Sequence, residues 1–366
     1  MIHSYGESLW ESLSHEKRPI FLYGTGNGGD KIISVCERYE ISLTGVFASD
    51  GFVRSRTFHD MPVRSYGDVT AEYGDDIVIL LAFGTVLPEV RRFIERLNEK
   101  HTLYIPDVPL YGGELFDGAY FASHKERLEA VCSLLGDARS VRIFEDAVRF
   151  RLSGNYRYLL NGSDNTETLR EVFGTQNIRT VLDGGAFKGD SAADFIEALS
   201  PEKIIAVEAD ERTFRKLSEY AVSASEKTGC QVLPVNAALW NENTVMTYVS
   251  SASRGSGEAG RNRRAKEVAV SCRTVDDIAA EMAAGEPIDL IKLDVEGAEA
   301  RALDGAVGVI GRDKPNLAVS LYHRTDDLME LIERAHTLLP EHRLILRRAD
   351  CIPFWDLTLY CVRTET

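Results

Sequence analysis

The sequence predicts an α/β protein with two doubly wound sheets in series. Apolar, strand-like segments alternate with helix-like segments along most of the 366 residues. Two glycine-rich turns, at residues 24–29 and 184–189, each follow an apolar strand and open a helix. This alternation is typical of parallel sheets covered by helices on both faces. We therefore expect two sheets, each with a ligand-binding edge at the carboxyl ends of its strands.

The first predicted domain comprises residues 1–112. Its strands are expected at four short apolar segments: 19–23, 43–48, 77–83 and 101–105. A helix is predicted over residues 88–100, because proline stands at its start and the charged residues fall on one face. Residues 113–154 follow with two helical patterns that end near Gly136 and Gly154. We interpret them as a helical connector, although they could also open the second domain.

The second predicted domain comprises residues 155–366. Nine candidate strands follow one another: 179–183, 203–208, 231–235, 244–249, 267–271, 288–294, 316–322, 343–348 and 357–362. The last two are joined by a short connection that we interpret as polar. This predicts an antiparallel hairpin at one edge of the sheet.

Composition narrows the range of partners and compartments. The formal net charge of −15 argues against nonspecific binding to nucleic acid or to an anionic membrane surface. The six cysteines form no Cys-x-x-Cys pair, which is typical of small buried side chains in a reducing compartment. No apolar segment approaches the ~20 residues of a membrane span, and the N-terminus lacks a signal-peptide core. We expect a cytoplasmic protein without membrane insertion, and a homo-oligomer remains open.

The second glycine turn carries the most specific signal. Asp183 stands directly before Gly184 and Gly185, and Gly189 follows where the helix opens. A carboxylate at this position would repel a pyrophosphate and attract a positive group. A carboxylate on the same ligand could bind the helix N-terminus. S-adenosylmethionine carries an ammonium, a carboxylate and a ribose, so it suits this turn better than a dinucleotide does.

Polar side chains also end the other strands of this predicted sheet. They are Glu208, Asn236, Asp294 with Glu296, and Tyr322 with His323. Glu208 can accept hydrogen bonds from ribose hydroxyls, and Asn236 could meet an adenine edge. Each residue has a purely structural explanation as well; for example, Asp294 could cap the next helix. Polar groups at five successive strand ends of one sheet favour a real ligand site.

The motifs resemble a known family. VLDGGAFKGD, AVEAD, VNAAL, SCRTVDDI, IDLIKLDVEGAEARALDGA and LAVSLYHRTDDL together resemble the FkbM-type, S-adenosylmethionine-dependent methyltransferases. The segment IKLDVEGAE is the most specific of them, and the resemblance runs from about residue 155 to the C-terminus. It implies a seven-stranded class I methyltransferase fold. It also implies O-methylation of a sugar, nucleotide sugar, glycan or related natural product.

The resemblance also implies roles for individual residues. Asp183, Gly184, Gly185 and Gly189 would surround the methionine end of the cofactor, Glu208 would hold the ribose, Asn236 and Ala237 would lie near the adenine, and Asp294 would lie near the transferred methyl.

An alcohol is a weak nucleophile near neutral pH, so a general base is expected. His323 is the first candidate because its unperturbed pKa is ~6.5. Asp294 and Glu296 are the alternatives. These three residues could also hold a divalent metal ion that lowers the pKa of the hydroxyl, but we do not favour metal dependence.

The first glycine turn fits G-x-G-x-x-G through Gly24, Gly26 and Gly29, and Asp50 follows at the next strand end. Three explanations remain open. The glycines could serve only strand-to-helix packing, they could bind a nucleotide sugar, or they could bind NAD. The last is the least favoured, because no hydride-handling residue accompanies them.

A locally basic segment, residues 250–266, is rich in glycine and serine. It carries Arg254, Arg263 and Arg264 in an otherwise acidic protein. It is either a solvated loop or a lid that contacts an anionic substrate. The leading prediction for the whole chain is an O-methyltransferase acting on a small molecule or carbohydrate. The alternatives are an NAD(P)-dependent oxidoreductase and a protein that binds S-adenosylmethionine without catalysis.

Overall fold

The computed structural model of the chain describes residues 7–49, 53, 57–109, 111–250 and 266–364. The N-terminal region contains a six-stranded sheet with helices around it. Its elements are α1 (Leu9–Ser14), β1 (Ile20–Tyr23), α2 (Asn27–Arg38), β2 (Gly45–Ala48), β3 (Thr57–Phe58), β4 (Met61–Ser65), α3 (Tyr66–Tyr73), β5 (Val78–Leu81), α4 (Pro88–Lys100) and β6 (Thr102–Tyr104). The strand order is β3-β4-β2-β1-β5-β6, and only β3 is antiparallel to its neighbour.

Two long helices lead into the C-terminal region, α5 (Gly118–Ser133) and α6 (Ala138–Ser153). Their ends have clear local causes. The Asp137 carboxylate accepts the Ser140 backbone N–H at 2.7 Å and so caps the start of α6. Gly154 ends the same helix in the left-handed conformation, with φ of 60°, as the sequence predicts.

The C-terminal region contains a seven-stranded sheet and a small three-stranded sheet. A 3₁₀ turn at Tyr156–Leu159 precedes it. Its elements are α7 (Asn165–Phe173), β7 (Thr180–Gly184), α8 (Asp190–Leu199), β8 (Lys203–Glu208), α9 (Glu211–Thr228), β9 (Gln231–Asn236), β10 (Ala238–Leu239), β11 (Thr244–Ser250), β12 (Lys266–Arg273), α10 (Val275–Met282), β13 (Leu290–Leu293), α11 (Glu299–Asp304), α12 (Val307–Asp313), β14 (Asn316–Ser320), α13 (Asp327–Leu338), β15 (Arg343–Arg348) and β16 (Leu357–Val362).

The large sheet has the order β15-β16-β14-β13-β7-β8-β9. The five strands from β14 to β9 are parallel, whereas β16 is antiparallel to both β14 and β15. The predicted α/β class with a seven-stranded sheet is confirmed. The predicted strands at 244–249 and 267–271 do not join this sheet, because β11 and β12 pair with each other and with β10 instead.

The helices α5 and α6 pack beside the large sheet. The backbone N–H of Gly136 donates to the carbonyl of Leu344 in β15 at 2.7 Å, and the Leu346 N–H donates to the Ser140 hydroxyl at 2.9 Å. Phe144 of α6 belongs to the same buried cluster as Leu346 of β15. The helices α5 and α6 thus contribute to the core of the large sheet.

The connection between β15 and β16, residues 349–356, docks on the N-terminal sheet. Thr85 and Ile352 exchange two backbone hydrogen bonds, of 2.7 and 3.0 Å. A Cβ added to Gly84 would lie 2.2 Å from the Trp355 ring. Arg91 binds the Asp350 carboxylate through two nitrogens, at 2.6 and 2.5 Å. Ile352 and Phe354 of this connection are buried, so the expectation of a polar connection is wrong.

The two regions also share a core. One apolar cluster contains residues of both sheets, including Phe21 of β1 and Leu182 of β7. Five of the six cysteines are buried and Cys132 is half-buried; all six are free thiols. Within the described ranges, every helix is too short or too polar to span a bilayer.

Candidate active site

Polar side chains end five neighbouring parallel strands of the large sheet at one edge. In sheet order, β14, β13, β7, β8 and β9 lead to His323, Asp294 with Glu296, Asp183, Glu208 and Asn236. The chain runs from β7 to β8 and β9 on one side and returns through β13 and β14 on the other. Ligands of open α/β sheets bind where the strand order reverses in this way. The row therefore lies where a ligand is expected.

The glycines of residues 184–189 are required by the protein's own packing. Gly185 has φ of +77°, and a Cβ there would lie 1.9 Å from the backbone oxygen of Asp294. Gly189 has φ of +99°, and a Cβ there would lie 2.2 Å from the Tyr220 ring. A Cβ on Gly184 would lie 2.5 Å from the Leu239 side chain. Larger residues are excluded by close approach and by backbone conformation together.

Asp183 does not stand as an isolated anion in the cleft. Its carboxylate is fully buried, accepts the Ser191 hydroxyl at 2.6 Å and lies 3.2 Å from the Lys292 ammonium. Lys292 also donates to the backbone oxygen of Gly185 at 2.9 Å. Burial alone lowers the pKa of Lys292, but Asp183 and Asp294 raise it above its usual value, so the ammonium stays charged. Lys292 thus ties Asp183 to the glycine turn.

Glu208 links two backbone segments at the end of β8. Its carboxylate accepts the N–H of Phe187 at 3.0 Å and the N–H of Asp210 at 2.8 Å. The amide of Asn236 donates to the Glu208 backbone oxygen at 2.8 Å. Ala237, the next residue, is buried. The predicted ribose and adenine residues are therefore neighbours in the structure.

His323 lies at the centre of an acidic cluster. Its side chain is buried, and its Nδ1 lies 2.9 Å from Oε1 of the buried Glu299. Its Nε2 lies 3.5 Å from Asp294 Oδ1 and 3.7 Å from Glu296 Oε2. The Tyr322 hydroxyl donates to Asp294 Oδ1 at 2.9 Å. The structure thus brings together all three predicted catalytic residues and adds Glu299.

The charges of this cluster shift several pKa values. Burial alone lowers the pKa of His323, but the Glu299 and Asp294 carboxylates more than offset it and raise that pKa above its ordinary value. Burial raises the pKa of Asp294, but Lys292 and His323 bring it below the usual range. Burial and Asp294 raise the pKa of Tyr322 far above normal. At neutral pH, Asp294 is therefore an anion and Tyr322 is a neutral donor, whereas the raised pKa of His323 makes its imidazole hold a proton more readily than a free one.

Two further carboxyl groups lie behind the histidine. Burial raises the pKa of Asp327 to about 7, although its carboxylate accepts the Arg324 N–H at 2.7 Å. Burial, followed by Asp294, also raises the pKa of Asp356 in the β15–β16 connection. Of the two, Asp327 in its ionised form raises the pKa of His323.

The segment between the two sheets reaches this cluster. The Tyr111 hydroxyl donates to the Glu296 carboxylate, and its ring stands edge-on to the His323 ring at 5.5 Å between centroids. The guanidinium of Arg324 donates to the backbone oxygens of Gly297 at 2.8 Å and Tyr111 at 3.3 Å. Tyr111 is also 44% exposed. It therefore lies where the cluster meets solvent.

One group of metal-ligand type lies among the described residues. Single ligand atoms of Asp294, Glu299 and His323 all lie within 4.8 Å of one another. Glu296, which the sequence placed in such a group, is not part of it. The Glu299 oxygen that contacts Nδ1 already accepts a backbone N–H, from Val295 at 2.8 Å. A proton on the imidazole satisfies the same geometry, so the cluster has no need of a metal ion to explain it.

The first glycine turn differs from the second. A Cβ on Gly24, at φ of +117°, would lie 2.9 Å from the Phe83 ring, and one on Gly29 would lie 3.1 Å from Phe58. Gly28, outside the predicted pattern, approaches the Ala82 carbonyl so closely that a Cβ would lie 2.2 Å from its oxygen. A Cβ on Gly26 would have no described atom within 4 Å. Packing thus accounts for most of this turn. Asp50, and Arg254, Arg263 and Arg264 of the basic segment, lie outside the described residues.

Sequence reasoning missed Lys292, Glu299 and Tyr111. Lys292 had a usable signal, because a lysine inside an apolar strand needs an anionic partner. Glu299 stands in the most specific motif, but only the fold shows that it contacts His323. Tyr111 is 212 positions before His323, and nothing in its local pattern indicates the contact.

Comparisons with known proteins agree with the motifs and the fold. Residues 183–350 match the family model described as the methyltransferase FkbM domain. The chain is also similar to the crystal structure of methyltransferase FkbM from Methylobacillus flagellatus KT, with a TM-score of 0.68 and 19% identity over 94% of this chain and 90% of that one. At this identity the second similarity supports the fold alone. Together they confirm the resemblance predicted from the motifs.

Two other solved structures are much less similar. Aeropyrum pernix fibrillarin in complex with S-adenosyl-L-methionine has a TM-score of 0.31 and 16% identity over 51% of this chain and 67% of that one. The O-methyltransferase from Bacillus cereus in complex with SAH has a TM-score of 0.34 and 12% identity over 67% of this chain and 96% of that one. TM-scores this low do not establish a shared fold. None of the curated proteins matches the chain.

Proposed function

We propose that this chain transfers a methyl group from S-adenosylmethionine to a hydroxyl group of a sugar, nucleotide sugar or related small molecule, because residues 183–350 match the family model of the methyltransferase FkbM domain. One observation carries the proposal. Polar groups of suitable chemistry lie in a row across five strand ends at the reversal of strand order. Asp183, Glu208 and Asn236 form the donor half of this row, and Asp294, Glu296 and His323 form the acceptor half.

The donor half fits S-adenosylmethionine by its chemistry. Glu208 is fixed by two backbone N–H groups, and a carboxylate has about four acceptor positions, so a ribose diol is a matching ligand. Asp183 is buried and its charge is balanced by Lys292, so it holds the glycine turn in place for the methionine end of the cofactor rather than attracting the ligand ammonium as a free anion. This changes the role that the sequence suggested for Asp183.

The acceptor half fits a neutral, hydroxyl-bearing group. Asp294 and Glu296 are partly exposed carboxylates beside Nε2 of His323, with side-chain exposures of 30% and 35%. Ionised carboxylates only accept hydrogen bonds, and sugar hydroxyls donate them. A phosphate at this position would be repelled by both residues. The methylated part of the acceptor is therefore uncharged, even if the rest of the molecule carries a phosphate.

The residues of the chain supply positioning and proton transfer. The bound cofactor supplies an activated methyl group on sulfonium, whose sulfur keeps the bonding electron pair when the methyl leaves. His323 accepts the proton of the acceptor hydroxyl at Nε2 as the oxygen bonds to the methyl carbon. Asp294 and Glu296 orient the hydroxyl, and the imidazolium then returns its proton to solvent.

Calorimetry with S-adenosylmethionine on the full chain tests the donor half. We expect saturable binding that Glu208→Gln weakens. Release of S-adenosylhomocysteine over a panel of nucleotide sugars and free sugars then tests the acceptor half. Absence of binding would refute the proposal. Binding without turnover on any acceptor would favour a non-catalytic binding protein, and saturable NADH binding would favour an oxidoreductase.

A further inference from the structure

The two ring nitrogens of His323 have different surroundings. Nδ1 lies 2.9 Å from Glu299 Oε1, which is the length of an N–H···O hydrogen bond. Nε2 lies 3.5 Å from Asp294 and 3.7 Å from Glu296, and both distances exceed that length. Nδ1 therefore lies within reach of the buried Glu299 carboxylate, although among the described residues it makes no hydrogen bond of good geometry in this conformation. Nε2 faces the partly exposed carboxylates of the acceptor half.

Glu299 is held in place independently of the histidine. Its Oε1 accepts the N–H of Val295 at 2.8 Å and, more weakly, that of Gly297 at 3.4 Å. Glu296 between them has φ of +58° and Gly297 has φ of +90°, so the loop curls around the carboxylate in the left-handed region. Glu299 is 1% exposed, and its Oε2 has no hydrogen-bond partner among the described residues. The imidazole is thus the principal group that can stabilise this buried charge.

We propose that Glu299 is a positioning residue that holds the His323 imidazole through Nδ1 and so reserves Nε2 for the proton of the acceptor hydroxyl. A carboxylate attracts an N–H and repels the lone pair of a ring nitrogen, so the oxygen 2.9 Å from Nδ1 favours the neutral ring with its proton on Nδ1. Nε2 then keeps its lone pair, as a general base requires. The same carboxylate stabilises the imidazolium formed during transfer. The inference rests on the proposed function, because it assigns Nε2 a substrate proton.

Charged and titratable groups face the imidazole from every side. The carboxyl groups are Asp294 and Glu296 in the loop after β13, Glu299 in α11, Asp327 in α13 and Asp356 in the β15–β16 connection. The phenols are Tyr322, the residue before His323, and Tyr111, in the segment between the two sheets. Glu299 is the one whose oxygen lies at hydrogen-bond length from a ring nitrogen. The surrounding charge sets how readily the ring is protonated, whereas Glu299 sets which nitrogen carries the proton.

Nuclear magnetic resonance of the full chain labelled with ¹⁵N-histidine tests the tautomer directly. Two-bond ¹H–¹⁵N correlations distinguish Nδ1–H from Nε2–H, and the missing signal in His323→Gln assigns the ring. We expect the neutral ring of His323 to be Nδ1–H in the wild type. We expect a mixture of tautomers and a lower pKa in Glu299→Gln. The exposed Asp304→Asn, at the other end of α11, is the matched control and should change neither.

A neutral Nε2–H ring in the wild type would overturn the inference, and this measurement depends only on the wild-type chain and on the His323→Gln variant that assigns its signal. Selective broadening of the His323 signals by micromolar Mn²⁺ would also overturn it, since the cluster would then be a metal site. Because these spectra need no cofactor or acceptor, they can fail or succeed separately from methyl transfer. Once an acceptor is known, Glu299→Gln should lower kcat by about 10- to 10³-fold. The affinity for S-adenosylmethionine should remain within about twofold of the wild type, because Glu299 does not belong to the donor half.

Discussion

The two glycine-rich turns of this chain have similar sequences and different surroundings. Both follow a central strand, β1 or β7, at a reversal of strand order, and both open a helix. Beside the first turn, β5 leads to Phe83 and Gly84, and the ring of Trp355 lies close to Gly84. The strands beside the second turn lead to carboxylates and a histidine. On its β5 side the first edge is thus covered by protein, whereas the second presents titratable groups.

The comparison shows what a glycine pattern can and cannot specify. In both turns the glycines permit a sharp backbone path and close contact with a neighbouring strand. That requirement is the same with or without a ligand. Chemistry is specified by the side chains at the ends of the adjacent strands, which a motif search limited to the turn does not read. The contrast can be tested with matched variants in the two turns.

The largest difference is expected for the histidines of the two regions. His323→Ala should lower turnover by about 10²- to 10⁴-fold, because it removes the general base. Its affinity for S-adenosylmethionine should stay unchanged. His59→Ala, in the N-terminal region, removes an exposed contact with Asp30 at 2.7 Å and should leave turnover unchanged. Release of S-adenosylhomocysteine measures both, and wild-type turnover in His323→Ala would remove this residue from the mechanism.

The next largest effect is expected from alanine in the two turns. Gly185→Ala combines a positive φ with a Cβ that would lie 1.9 Å from a backbone oxygen. It should lower the free energy of unfolding by about 3 kcal/mol or more. Gly26→Ala has an ordinary φ of −97° and open space, and should cost less than about 1 kcal/mol. Urea denaturation measures both, and equal losses would contradict the contrast.

A smaller effect is expected for the acidic residue that follows each turn. Glu208→Gln should weaken S-adenosylmethionine binding by about 10- to 100-fold, since it replaces charge-assisted hydrogen bonds with neutral ones. Asp50→Asn, the corresponding change after the first turn, should leave the affinity within twofold. Isothermal calorimetry reads both. If the Asp50 variant were the weaker binder, the donor site would have to be reassigned to the first turn.

The smallest effect concerns the pair that joins the two regions. Arg91 and Asp350 form a two-nitrogen contact, but Asp350 is 47% exposed. A double-mutant cycle with Arg91→Ala and Asp350→Ala should give a coupling energy of about 0.2–1 kcal/mol. A coupling of zero in urea denaturation would indicate that the β15–β16 connection does not dock on the N-terminal sheet in solution.

The sequence predicts elements with strong periodicity best. The predicted bounds of α4, β8, β15 and β16 are confirmed. The weakly patterned β3, β4 and α3 were missed, because β4 and α3 each bury a single residue, Val63 and Val69. The two strands wrongly assigned to the large sheet, β11 and β12, show why membership of a sheet is difficult to predict: alternation indicates a strand but not its neighbour.

The site was predictable to the extent that strand ends define it. Asp183, Glu208, Asn236, Asp294 and His323 do lie at one edge, since parallel strands share their carboxyl edge. What could not be predicted is pairing through space. The carboxylate of Asp183 is neutralised by Lys292 from the neighbouring strand, and Nδ1 of His323 lies 2.9 Å from a carboxylate oxygen of Glu299. Both contacts depend on rotamers and loop conformations that one sequence does not display.

The docking of residues 349–356 has a practical consequence for experiments with fragments of this chain. A truncated protein starting near residue 155 would lack the N-terminal region that helps to bury Ile352 and Phe354 in the full chain. It would also lose part of the core that the two regions share. Such a fragment would expose apolar surface next to Asp356 and Tyr322. Loss of methylation after truncation would then report collapse of the second half and would reveal nothing about ligand binding by the first.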